Sequence, residues 1–228
     1  MPRSRARWLL AGAVLAAAVS CGYSGPSASA LLQRAKATFD QTSAFHIKLT
    51  SSDVAGSGTI LDSAEGDALR PDSFTGTVGV LEGGFLVQVH VVSTGGTFYA
   101  LTPFSTKYQV TNPAQYGFGD PGRLLDPESG ISTLLTAAQH PSIGGETRLN
   151  GESLQQVNAT LPGQKVKSLL VDAEPSQPVS VTFDIDTSSN QVREVDLTGP
   201  IFEAGHQSTF TLLITNYGES VSVTPPPT

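Results

Sequence analysis

Apolar residues recur along this chain with three different periods. Residues 8–19 form an unbroken run of apolar and small side chains. Between residues 27 and 42 the apolar positions Ala28, Leu31, Leu32, Ala35 and Phe39 fall three or four apart, which predicts a helix with one buried face. From residue 45 the period drops to two. Phe45, Ile47 and Leu49 alternate with His46 and Lys48; Phe74, Gly76, Val78 and Val80 alternate with Thr75, Thr77 and Gly79. Phe85, Val87, Val89 and Val91 share a face opposite Leu86, Gln88, His90 and Val92, and Thr94-Gly95-Gly96 reads as a hairpin turn into a strand over 97–101. Residues 112–127 are irregular and rich in Pro, Gly and Asp. A helix is predicted over 130–138, with Ile131, Leu134 and Leu135 inward and Pro141 as its stop, and a third short one over 163–171. Strands are predicted over 155–161, 179–185, 192–197, 208–215 and 219–223, before three prolines that cannot continue a ladder.

Clear alternation in most strands marks an antiparallel sheet with one covered face and one wet face. About nine to eleven strands suffice for a twisted sheet to curl. The fold class is therefore α+β, dominated by a curved antiparallel β-sheet. Too few helical residues exist to fill the concave side of such a curl, which permits an apolar cavity; a fully packed core is the alternative. By alternation, Val78, Val80, Phe85, Val87, Val89, Val91 and Phe98 are candidate wall residues from the sheet, with Leu124, Leu134 and Leu135 from the helical cover. For each of them ordinary core packing is the competing reading.

The first apolar run follows Arg3, Arg5 and Arg7 and ends in small residues before Cys21, the only cysteine. A basic start, a short apolar core and small residues before a cleavage point are the layout of a secretory signal peptide. The run is roughly a dozen residues, short of the ~20 that span a bilayer as a helix. A cysteine at the junction resembles the bacterial lipobox, in which the thiol receives diacylglycerol and becomes the new N-terminus. Ala18 stands where Leu is usual, and an ordinary signal peptide with an incidental cysteine is the alternative. The expected organisation is a signal peptide over 1–20, a lipidated tether over 21–26, one domain over 27–224 and a Pro-rich tail over 225–228. Loss of the leader removes three arginines and takes the net charge from −7 to about −10. Such a surface repels phosphate, so nucleic-acid binding is not expected. It also repels anionic membrane, so attachment at the outer side of the cell membrane has to come from the lipid. With Cys21 acylated no thiol is left for a disulfide, and stability must come from burial and backbone pairing.

No catalytic constellation emerges. Gly117-Phe118-Gly119-Asp120-Pro121-Gly122 has the spacing of a dinucleotide fingerprint, but Pro121 lies inside it and no βαβ unit follows. It reads instead as a turn into a short helix, with Asp120 as N-cap and Pro121 at the first helical position. His46, His90, His140 and His206 show no metal-ligand spacing and fall on polar strand faces or in loops. Asp184 and Asp186 lie on a polar strand face, where solvation is the expected role. GxSxG is absent, and the single cysteine is taken by the anchor. No enzyme activity, cofactor or metal is expected.

The order and spacing of several local features resemble the LppX/LprA/LprF/LprG family of mycobacterial lipoproteins over nearly the whole chain. These features are Phe98-Tyr99-Ala100, Asp120-Pro121 with Leu124-Leu125-Asp126-Pro127, Gly130-Ile131 followed by Leu134-Leu135, Gly144 to Gly151 ahead of a strand, and Tyr217-Gly218 ahead of the last one. The family's late Val-Trp-Ile corresponds here to Thr182-Phe183-Asp184 with Ile185, and its Trp-Gly to Tyr217-Gly218. The resemblance implies a half-barrel similar to the periplasmic lipoprotein carriers, with helices on the concave face and a large apolar cavity. It implies acylated lipid, glycolipid or lipoglycan ligands carried or presented across the periplasm, in some members alongside an efflux transporter. A structural or regulatory partner of a membrane protein, with a fixed or vestigial lipid site, is the competing function.

Overall fold

Residues 25–56 and 58–228 are described by the computed structural model. The leader, Cys21 and most of the tether lie outside the described residues. In chain order the strands are β1 (Ala44–Ser52), β2 (Thr59–Leu69), β3 (Ser73–Glu82), β4 (Phe85–Thr94), β5 (Thr97–Leu101), β6 (Gln109–Val110), β7 (Gln139–Leu149), β8 (Glu152–Leu161), β9 (Val179–Asp186), β10 (Gln191–Gly199) and β11 (Ser208–Thr215). The helices are α1 (Ala28–Gln41), α2 (Ser132–Ala137) and α3 (Gly163–Lys167).

All eleven strands form one open antiparallel sheet in the order β6-β5-β4-β3-β2-β1-β11-β10-β9-β8-β7. Within each half, neighbours in space are neighbours in sequence; the pairing of β1 with β11, His46 opposite Thr215 to Ser52 opposite Thr209, joins the halves. The two free edges, β6 and β7, are consecutive in the chain. The segment between them must therefore pass from one edge to the other, and it does so over the concave face with 3-10 turns at Pro113–Tyr116 and Pro121–Arg123 followed by α2. Asp120 caps the second turn as predicted, its Oδ1 accepting from the Gly122 N–H at 2.9 Å.

Helix α1 starts where Ser27 Oγ accepts from the Ala30 N–H, and buries the predicted face Ala28, Leu31, Leu32, Ala35 and Phe39. Beneath it, Gly66 and Gly76 face each other across β2 and β3. A Cβ on either would collide with backbone of the partner strand, so the close approach there requires glycine.

Several elements depart from the sequence-based expectation, and the helix expected over 163–171 ends at Lys167. Strand β2 was not predicted: a bulge between Leu61 and Ser63 breaks the alternation, leaving Ile60 and Leu61 both buried, and Gly66, Asp67 and Ala68 are weak strand formers. Strand β7 begins immediately after α2 and contains Pro141, which is tolerated because the strand is an edge. The helix expected over 130–138 is accordingly confined to Ser132–Ala137. Residues 219–223 are not a strand; left-handed Asn216 and Gly218 turn the chain out of β11, and Tyr217-Gly218 follows the last strand instead of preceding one.

Candidate functional site

A cavity of about 220 Å³ lies between the sheet and the segment that crosses it. Its sheet wall includes Ile47, Val78, Phe183, Val195, Phe210 and Ile214, drawn from both halves. Its cover includes Phe118, Leu124, Ile131, Leu134 and Leu135 from the crossing segment, and Leu169 from just beyond α3. The lining is almost wholly apolar, and the polar exceptions, among them Asp120, Arg123, Ser129 and Ser168, all belong to the cover. Arg123 is mostly exposed and pairs with Asp126 at 3.2 Å.

The predicted wall residues divide. Val78, Leu124, Leu134 and Leu135 line this cavity. Val80, Val87 and Val89 line a second space of about 310 Å³, half polar, with Thr59, Glu82, Thr102 and Tyr116. Val91 and Phe98 are buried in the core and line neither space; Phe98 stacks edge-on against Phe118 at 5.9 Å. Phe85 is 77% exposed and lies outside both. Its side chain is on the expected face, but the strand has run past the cover by that point. The sequence reading missed the wall from β9, β10 and β11. The signal was present in Val179, Val181, Phe183 and Ile185, and again in Phe210, Leu212 and Ile214, whose alternation matches that of the first half.

The cover is held to α1 by a polar clasp. Lys36 Nζ lies 2.6 Å from Asp40 and donates to the Pro127 carbonyl at 3.1 Å, while Ser132 Oγ donates to Asp40 at 2.7 Å. At the same C-terminal end of α1, Tyr217 packs edge-on against Phe39 and donates its hydroxyl to the Val192 carbonyl at 2.6 Å; burial pushes its phenol well above the ordinary range.

The family model named LppX_LprAFG lipoprotein matches residues 27–223. This chain belongs to the LppX/LprA/LprF/LprG lipoprotein family. It is 27% identical over 242 aligned positions to the lipoarabinomannan carrier protein LprG of Mycobacterium tuberculosis, covering 99% of this chain and 98% of that protein. Its fold is similar to that of Mycobacterium bovis LprF, with a TM-score of 0.74 at 18% identity over 88% of this chain and 97% of that one. Mycobacterium tuberculosis LppX matches with a TM-score of 0.64 at 17% identity, over 86% and 98%. The resemblance read from the sequence is thus confirmed, and so is the curved antiparallel sheet.

Two polar sites of this family member lie outside the cavity. Asp184, expected in solvent, is 5% exposed and one of its oxygens has no hydrogen-bond partner. Burial raises its pKa, the nearby Asp196 adds to the rise, and Gln156 opposes it. On paired strands His46 Nδ1 lies 2.6 Å from Asp67, and Glu219 brings a carboxylate oxygen within 4.8 Å of both. His46 and His206 are partly buried, whereas His90 and His140 are exposed as expected.

Proposed function

We propose that this protein binds acylated lipid in the concave cavity and carries or presents it across the periplasm while anchored to the cell membrane through a lipid on Cys21. The observation behind this reading is the apolar cavity between the sheet and the segment that crosses it, in a chain that aligns end to end with a protein named a lipoarabinomannan carrier. Transfer of a C16 chain from water to an apolar interior gains on the order of 12 kcal/mol at ~0.8 kcal/mol per CH₂. A carrier requires no bond chemistry, only an interior comparable to the bilayer and a route out. Glycolipid and lipoglycan ligands fit this scheme with the headgroup left among the polar residues of the cover.

The enclosed space, about 220 Å³, is smaller than the ~300–1,000 Å³ of ordinary ligand pockets. Loading of two or three chains therefore demands that the crossing segment lift from the sheet. Its attachment to α1 through Lys36, Asp40 and Ser132 is suited to that, since exposed and half-buried polar bonds contribute little each. The small volume also favours, as a second reading, a regulatory partner with a fixed or vestigial lipid site. Among the described residues no helix is long and apolar enough to cross a membrane.

Mass spectrometry of solvent extracts from non-acylated protein separates the two readings. Acylated ligands that exchange against added lipid support a carrier. No ligand, or one that never exchanges, supports the partner protein and overturns the carrier.

A further inference from the structure

Val87 and Val89, on the concave row of β4, line the half-polar space, and no residue of β4 lines the apolar cavity itself. Val91 and Val89 are each 1% exposed, Val87 is partly buried, and Phe85 is 77% exposed, so one continuous apolar row runs from the core out into solvent. It emerges at the Gly83-Gly84 hairpin tip, where Leu86 on the opposite face is 54% exposed. A second apolar tip stands beside it. Thr102 and Ser105 close a turn, the Ser105 N–H donating to the Thr102 carbonyl at 3.0 Å, and this turn holds Phe104 at 99% exposure. Thr102 lines the same half-polar space as Glu82 and Val87, which flank the hairpin tip, so both turns belong to one end of the sheet.

Fully exposed phenylalanines at two adjacent loop tips call for an occupant. A second copy of this chain or a protein partner is poorly matched, because three side chains at loop tips offer a few hundred Å² at most, against ~800 Å² per partner in a stable complex. A lipid bilayer is well matched: it accepts protruding aromatic and aliphatic side chains without shape complementarity, and it is continuous in chemistry with the row that leads inward. We propose that Phe85, Leu86 and Phe104 dip into a bilayer surface, which turns the half-polar space lined by Val87 and Val89 toward the membrane as the side from which an acyl chain approaches the interior. This rests on the carrier reading and adds where the exchange takes place. With a net charge of −7 for the full chain and about −10 without the leader, docking is apolar and requires no anionic lipid.

The test uses the chain from Cys21 on, without the leader and its Trp8, in which Phe104→Trp supplies the only indole, together with a second such chain bearing Val110→Trp. Val110 is exposed too, but sits on edge strand β6 opposite Tyr99. On addition of phosphatidylcholine vesicles containing brominated phosphatidylcholine, the indole at 104 is expected to shift its emission to the blue and be quenched, at low and high salt alike. The indole at 110 is expected to do neither. No quenching at 104, or equal quenching at both positions, overturns the proposal. So does a concentration-dependent dimer lost on Phe104→Ser, which would give the tip to a second copy. The combined Leu86→Ser and Phe104→Ser variant is expected to bind soluble fluorescent palmitate normally while taking it from vesicles about tenfold more slowly. Normal uptake from vesicles contradicts the docking role. Failure of the unaltered chain to bind palmitate in any form sinks the carrier reading instead, and leaves the quenching result standing on its own.

Discussion

At the scale of single residues, Val78 is the most informative position. It is 3% exposed and lines the cavity from β3. In solid core, Val78→Trp would overfill the site at ~1–3 kcal/mol or more. Against an open space the indole takes the volume meant for an acyl chain, so lipid binding is expected to fall at least tenfold while Tm drops by less than ~3 °C. Melting curves on lipid-free protein beside a palmitate-binding assay check both halves. Asp184 gives a second prediction. Its carboxyl is raised by burial and then by Asp196, so its ionised form weakens the native state. The stability it retains when protonated is present below the unfolded carboxyl's pKa and is lost as pH rises through the folded one. Asp184→Asn should thus raise Tm at pH 7, with the advantage closing below about pH 4; a Tm gain independent of pH would contradict this. The two residues also mark how far side chains were legible. Val78 faced inward by simple alternation. Asp184 alternates just as faithfully, onto the outer face, but its burial depends on neighbours supplied by β8 and β10, which no local pattern reveals.

At the scale of elements, the clasp between α1 and the crossing segment governs access. Ser132 is 3% exposed, donates to Asp40 at 2.7 Å and accepts from Lys36 Nζ at 3.3 Å, so Ser132→Ala removes two bonds and leaves a half-buried carboxylate short of a donor. A loss of about 1 kcal/mol is expected, or ~2–4 °C in Tm. Hydrogen exchange should quicken over residues 130–137, and loading of palmitate with it; unchanged exchange there would show that the clasp does not hold the cover. Elements with a strong period were legible: α1, the β4–β5 hairpin, β9 to β11 and the Asp120-Pro121 turn. Those shaped by pairing were not. The bulge in β2 exists to fit β3, Pro141 in β7 is acceptable only at an edge, and the extended stretch after Gly218 has no partner strand to complete it. The edges show the same logic: β6 is two residues long, and β7 is broken by two register shifts and a left-handed His140, which discourages pairing with other chains.

At the scale of the whole molecule, an open sheet of eleven strands with one helix of 14 residues, two short helices and two 3-10 turns leaves its concave side only thinly covered. The family and the curved sheet could be read from the chain, whereas the limited enclosed volume could not, because it depends on how deeply Leu124, Leu134 and Leu135 settle against the wall. Anchoring is a property of the whole chain as well. Cys21→Ser is expected to release the protein from membrane fractions into the soluble one, since the bilayer contact proposed for the loop tips is too small to hold it; retention in membranes would remove the lipid anchor from the account. The central claim is that the interior holds an acylated lipid and gives it up again. The direct measurement is transfer of a labelled diacyl lipid from donor to acceptor vesicles by purified protein. The account predicts a transfer rate proportional to protein concentration and suppressed by Val78→Trp. A rate no greater than that of vesicles alone, with lipid absent from the protein or permanently held by it, would contradict it.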